Sequence, residues 1–180
     1  MTLTLHQTDT PLGTFTVLAE GDTVYASGFT ADASFLAGLA GTDPAAVEDG
    51  PANHPALKAV DAYFAGDVRA IDAVKVRTQP SAGRSGAPFR TAARDAMREI
   101  PTGSTRTYTE LAATAGNPNA VRAAGSACAT NPVSLFVPCH RVLRSDGSLG
   151  GYLYGLDVKR ALLDHERRHA PAGSETLALR

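Results

Sequence analysis

A chain of 180 residues, 43% of them apolar and with a formal net charge of −1, is long enough for one large domain or two small ones around a packed core. No run approaches the ~20 apolar residues that span a bilayer, and residues 1–12 have neither a basic start nor an apolar stretch, so the reading is a soluble, cytoplasmic protein without a membrane partner. Two cysteines, Cys128 and Cys139, are too few for a disulfide scaffold, and neither lies in a zinc-ligand spacing, so no metal and no cofactor is expected.

The small net charge hides an asymmetry about a Pro/Ser/Gly-rich stretch at Thr78–Pro88. Residues 1–83 carry four Lys/Arg against ten Asp/Glu, whereas residues 84–169 carry twelve against seven. Such a split points to a polyanion meeting the second half, or else to two solvated surfaces with no partner. The organisation that follows is an N-terminal α/β domain at 1–77, a linker at 78–88, a C-terminal domain at 89–169 and a tail at 170–180.

In the first domain, Leu3 and Leu5, then Phe15, Val17 and Ala19, alternate with other residues, and Val24 and Ala26 follow a Glu20-Gly21-Asp22 turn. This predicts a small antiparallel meander. Leu57, Val60 and Phe64 have helical spacing, and Val74 with Val76 would add a last strand. Residues 30–54, rich in Ala, Gly and Asp, give no clear pattern.

Beyond the linker the period is helical almost throughout. Phe89, Ala93, Met97 and Ile100 form one stripe, ended by Pro101 and Gly103. Thr107 and Glu110 have capping-box spacing and open a second helix that closes at Gly116. A third runs from Asn119 to about Asn131, where Pro132 stops it. Two short helices joined by a tight Gly-containing turn have the form of a helix-turn-helix, which many proteins that never touch nucleic acid share. In the third helix, small residues such as Ala120, Ala123, Gly125 and Ser126 surround a lone Arg122. They allow either close backbone approach to a minor groove, with Arg122 reaching inward, or tight burial within the protein.

An apolar run from Val133 leads into Pro138-Cys139-His140-Arg141-Val142. Cys139 is either an inert buried thiol or a nucleophile whose pKa is lowered by Arg141 or a protonated His140. Cys128, in the Ala-rich helix with no polar neighbour, reads as inert. In the last helix Val158, Leu162 and Glu166 share one stripe, so Glu166 is either buried and in need of a partner, with His140 the natural one, or solvated on a frayed end.

These residues resemble the O6-alkylguanine-DNA alkyltransferases, also called methylated-DNA--protein-cysteine methyltransferases, over about residues 86–166. The resemblance rests on Ile-Pro-x-Gly at 100–103, Thr-Tyr-x-x-Leu-Ala at 107–112, Gly-Asn-Pro at 116–118 and Arg-Ala-x-Gly at 122–125. It continues through Asn131-Pro132, Pro-Cys-His-Arg-Val at 138–142, Gly151-Tyr152, and Lys159 with Leu162-Leu163 and Glu166. In the first half only Thr10-Pro11-Leu12-Gly13 resembles the family closely.

The resemblance implies an α/β (α+β) fold: a small N-terminal antiparallel sheet with helix, ribonuclease-H-like, followed by a mostly helical, helix-turn-helix (winged-helix-like) domain. It further implies direct DNA repair, with an alkyl group moved irreversibly from O6-alkylguanine, and in some members O4-methylthymine, onto Cys139 after the base is flipped out. His140 would take the thiol proton through a water, Glu166 would orient the imidazole, and Tyr108 would hydrogen-bond the departing guanine. Arg122 would fill the gap left in the stack. Thr107, Ala120, Ala123, Gly125, Ser126 and Arg90 would face double-stranded DNA, on a monomer whose helix at 119–130 enters the minor groove. Asn131 would brace the turn before the reactive loop. Pro138, Val142, Tyr152, Leu153, Tyr154 and Lys159 would complete the substrate pocket.

Two residues depart from the pattern. Arg94, counted here among the exposed basic residues, stands where the family commonly has a tryptophan, and the bulky Tyr154 replaces a commonly small residue and would restrict large O6 substituents. Three other classes compete on the same features. An alkyltransferase-like lesion binder would lack Cys139, a helix-turn-helix regulator would carry base-reading side chains on its third helix, and a Cys-His hydrolase would not need the DNA-facing features.

Overall fold

The computed structural model of the chain describes residues 2–77 and 87–171. It divides into two compact units, residues 1–77 with 132–136 and residues 78–131 with 137–180. Most of the expected linker, 78–86, and most of the expected tail, 172–180, lie outside the described residues.

In the first unit, strands β1 (Leu3–Thr10), β2 (Gly13–Glu20) and β3 (Thr23–Gly28) form the expected antiparallel meander, with Thr4 opposite Ala19 and Thr10 opposite Gly13. All of Phe15–Ala19 is buried, because β2 is central and both its faces are covered. Leu3, Leu18 and Ala26 pack with Leu36, Ala37 and Ala40 of helix α1 (Ala33–Ala40), which Asp32 caps at its start. Phe15 meets Phe29 and Phe136 edge-on, and Phe29 meets Phe64 of helix α2 (Pro55–Phe64).

The fourth strand is β4 (Val47–Asp49), parallel to β1, so the sheet order is β3-β2-β1-β4. This corrects the assignment of Val74 and Val76, which contribute only a single bridge from Val76 to Val24. Three residues are too few for alternation to show in a sequence. Pro132–Phe136 belongs to this unit through Ser27, whose amide donates to Pro132 O and whose hydroxyl donates to Ser134 O.

The second unit contains α3 (Ala87–Arg98), α4 (Tyr108–Thr114), α5 (Val121–Ala129) and α6 (Leu156–His169). The Thr107/Glu110 capping box forms in both directions, at 3.1 and 2.7 Å. Helix α5 is shorter than the 119–131 read from sequence, because Asn117 accepts from the Asn119 and Ala120 amides and holds the chain in a turn until Val121. Arg106–Thr107 (β5) and Val142–Leu143 (β6) pair in parallel, a two-residue ladder too short for periodicity to show. On α6 the buried stripe is Lys159, Leu162, Leu163 and Glu166, rotated from the expected one so that Val158 is only half-buried.

Candidate active site

The reactive segment begins at Asn131, which is buried at the end of α5. Its side-chain Nδ2 donates to Val137 O at 2.8 Å, and the Cys139 amide donates to the same carbonyl, also at 2.8 Å. Residues Cys139–Arg141 then form one 3₁₀ turn, which buries three consecutive polar side chains facing different neighbours.

His140 and Arg141 converge on Glu166. His140 Nε2 lies 2.7 Å from Glu166 Oε1, while Arg141 Nε and Nη2 donate to Oε2 and Oε1 at 2.9 Å each. The remaining Arg141 donors reach Ile100 O at 2.8 Å and Thr102 Oγ1 at 3.2 Å, which gives the Ile-Pro-x-Gly stretch a structural purpose. Burial works to raise the Glu166 pKa, but the adjoining His140 and Arg141 outweigh it and hold the carboxyl well below the usual range. Burial likewise lowers the His140 pKa and keeps the ring neutral. With an ionised carboxylate on Nε2, the ring proton belongs there. That leaves Nδ1, which is buried and has no hydrogen-bond partner among the described residues, as a lone pair.

Arg141 therefore does not act as a cation beside Cys139, contrary to one sequence expectation. Its charge is spent on Glu166 within a buried pair.

Cys139 opens onto a cavity of about 380 Å³ lined by Tyr108, Gly125, Cys128, Ala129, Gly151, Tyr152 and Leu153. That volume is within the range of small-molecule sites. Burial, followed by the neighbouring Cys128 and Cys139, pushes the Tyr108 pKa up to about 12, so its hydroxyl remains a donor at neutral pH. The Tyr108 ring fits against Gly150, where a Cβ would fall 2.8 Å from the hydroxyl and where φ is +72°, so glycine is required on both counts.

Lys159 is fully buried behind the cavity, and its ammonium donates to the carbonyls of Val142 at 2.7 Å, of Leu149, and of Gly151 at 3.2 Å. It thus ties the strand after the cysteine to the glycine loop. Desolvation lowers its pKa to about 8, with Cys139 and Cys128 opposing the shift.

Of the residues expected to line the pocket, Tyr152 and Leu153 do so. Asn131, Pro138, Val142 and Lys159 are not among the lining residues, and all four are buried. Tyr154 is also absent from the lining and stacks edge-on against Tyr152, with ring centroids 5.9 Å apart. Cys128, read from the sequence as inert, has a position the sequence did not indicate. It faces the cavity together with Gly125 and Ala129, at i+3 and i+4 spacing on α5, and burial pushes its thiol pKa up, keeping it neutral. No sequence signal marked it, since only packing decides which face of an Ala-rich helix meets the loop.

On α5, Ala124 and Ala127 are buried, whereas Arg122, Ala123, Ser126 and Ala129 are exposed. Tight burial of the whole helix is thereby excluded: one face is core and the other is a shallow surface of small side chains with one arginine. Ala120 and Thr107 are half-buried, as is Arg90 on α3. Arg94 is buried, at 5% exposure, and donates to Thr130, so it is not the exposed cation expected from the sequence.

Fold and geometry define a thiol-centred cavity, backed by a buried His–Glu–Arg cluster, on a helix-turn-helix unit. Residues 88–168 match the family model described as 6-O-methylguanine DNA methyltransferase, DNA binding domain. A methylated-DNA--protein-cysteine methyltransferase of Methanosarcina acetivorans is 44% identical over 111 residues, covering 62% of this chain and 67% of that protein. The crystal structure of the Mycobacterium tuberculosis O6-methylguanine methyltransferase superposes with a TM-score of 0.72 at 32% identity, over 94% of this chain and 96% of that one. The M. tuberculosis protein has also been solved in complex with DNA, with a TM-score of 0.72 at 31% identity over 93% of this chain and 95% of that one. The chain belongs to the methylated-DNA--protein-cysteine methyltransferase family, a family of enzymes.

Proposed function

We propose that this chain repairs alkylated DNA by accepting the alkyl group of O6-alkylguanine on Cys139 Sγ, once per molecule. The observation that carries this reading is the placement of Cys139 and Tyr108 on one cavity, with the buried His140–Glu166 pair adjoining the cysteine in the same turn. His140 Nδ1, a lone pair with Nε2–H fixed on Glu166, takes the thiol proton through a water. The thiolate attacks the alkyl carbon in line, the S–C bond forms as the C–O6 bond breaks, and the electron pair passes to the guanine ring. Tyr108, kept protonated, donates a hydrogen bond to the ring and so stabilises the departing base. The product is a thioether, which water does not cleave, so the site is not regenerated.

An alkyl carbon stacked in a duplex is out of reach of Sγ, so the nucleotide must leave the stack, at a cost of a few kcal/mol. The exposed face of α5, with Ala123, Ser126 and Ala129, is shallow enough for a minor groove, and Arg122 occupies the gap. O4-methylthymine presents the same kind of alkyl ether and is a candidate second lesion. The test is stoichiometric: a duplex with one O6-methylguanine is mixed with limiting protein. The lesion should vanish in an amount equal to the protein and no further on longer incubation. Continued turnover, or no loss of lesion, overturns the reading.

A further inference from the structure

Arg94 is a buried arginine on α3, far along the chain from the reactive cysteine. Its Nη2 donates to Thr130 O at 2.8 Å and to Thr130 Oγ1 at 3.2 Å. Thr130 is the C-cap of α5, and its amide and hydroxyl both donate to Ser126 O. A guanidinium there satisfies a carbonyl beyond the last turn and complements the negative end of the helix. The next residue is Asn131, whose amide holds the Val137 carbonyl, and that carbonyl also accepts from the Cys139 backbone amide. Arg94, the Thr130–Asn131 peptide, the Asn131 side chain, the Val137 carbonyl and the Cys139 amide thus form one continuous connection within a single unit.

We propose that Arg94 is a positioning residue for Cys139: by fixing the Thr130 carbonyl it sets the orientation of Asn131, and through Asn131 the direction in which the thiol enters the cavity. The proposal rests on Cys139 being the alkyl acceptor. In-line displacement is sensitive to placement, and a misplacement near 1 Å caused far from the reacting atoms costs on the order of a hundredfold in rate. Arg94 touches neither substrate nor thiol and is not a catalytic residue. A lysine would keep the charge but on a shorter side chain, whose ammonium would have to reach from further back the carbonyl and hydroxyl that Arg94 Nη2 holds together.

The experiment measures single-turnover transfer by wild type, Arg94→Met, Arg94→Lys and Met97→Ala. Met97 is a fully buried residue of the same helix, and its substitution loosens the core without removing a donor to Thr130. Two substrates are used, duplex DNA carrying O6-methylguanine and free O6-benzylguanine, with Tm and affinity for undamaged duplex measured in parallel. The expectation is that Arg94→Met slows transfer from both substrates by about 10- to 100-fold with unchanged DNA affinity. Arg94→Lys should fall between it and wild type, and Met97→Ala should lose Tm while transferring at the wild-type rate. Wild-type rates in folded Arg94→Met overturn the proposal, as does a loss no greater than that of Met97→Ala, or a loss confined to the DNA substrate with weakened DNA binding. If Arg94→Met does not fold, a wild-type rate in folded Arg94→Lys overturns it equally. Failure of the wild type itself to alkylate Cys139 would instead remove the reading on which the proposal rests.

Discussion

Arg141 and Glu166 meet through two parallel hydrogen bonds of 2.9 Å, with both side chains almost wholly buried. Removing one member leaves a buried charge uncompensated, so Glu166→Gln should lower stability by about 3–5 kcal/mol. The Glu166 pKa is depressed in the folded protein, so this contribution is full above the unfolded value of 4.5 and is lost as pH falls from there toward the folded pKa. Urea unfolding of wild type and variant should show a constant gap at neutral pH that shrinks below pH 4.5. A gap under 1 kcal/mol at pH 7 would contradict the pairing.

The rate of alkyl transfer should depend on His140 being neutral. Burial lowers its pKa below the ordinary 6.5, so the rate should stay level at neutral pH and fall on the acid side with a midpoint under 6.5. Because the Tyr108 pKa is raised to about 12, no matching alkaline loss of the hydrogen-bond donor should appear through pH 10. Single-turnover rates across pH 5–10 test both limbs, and an acid midpoint above 6.5 would contradict the lowered His140 pKa.

Substituent size should be read by the cavity wall, of which Cys128 is part and Tyr154 is not. Cys128→Leu should slow transfer from O6-benzylguanine by about 1–3 kcal/mol more than transfer from O6-methylguanine, whereas Tyr154→Gly should change neither. The expectation from sequence, that Tyr154 itself restricts the pocket, would be restored by the opposite pattern.

Arg122 is exposed on the shallow face of α5, isolated among small side chains. Arg122→Ala should slow repair of duplex DNA while leaving reaction with free O6-benzylguanine and affinity for undamaged duplex nearly unchanged. An equal loss on the free base would place Arg122 in the chemistry instead of in base extrusion.

The C-terminal half was the more legible because its signals are local. The Thr107/Glu110 capping box, the Gly116 turn and the Pro138–Val142 segment each work within a few residues, and the structure places them where the sequence did. The buried Glu166 was legible from periodicity as a residue in need of a partner, and His140 is that partner. Its second partner was missed because Arg141, read alone, looks like a free cation, and only three-dimensional packing spends its charge. Arg94 was misread, and the place of Cys128 on the cavity wall was not foreseen, for the same reason: a helical arginine does not declare that it turns inward to cap a neighbour, and an Ala-rich helix does not declare which face meets a loop. In the first half, residues 30–54 hid α1 and β4. The Asp32 and Gly41 caps of α1 were visible signals, but a three-residue strand has no period to detect.

The central claim is that the alkyl carbon ends on Cys139 Sγ, and peptide-resolved mass spectrometry tests it most directly. After incubation with duplex DNA carrying O6-methylguanine, the intact chain should gain one methyl unit, located on the peptide containing Cys139 and absent from that containing Cys128. Cys139→Ala should bind the duplex and gain nothing. A methyl unit on Cys128, or an unmodified chain after the lesion has disappeared, would contradict the account.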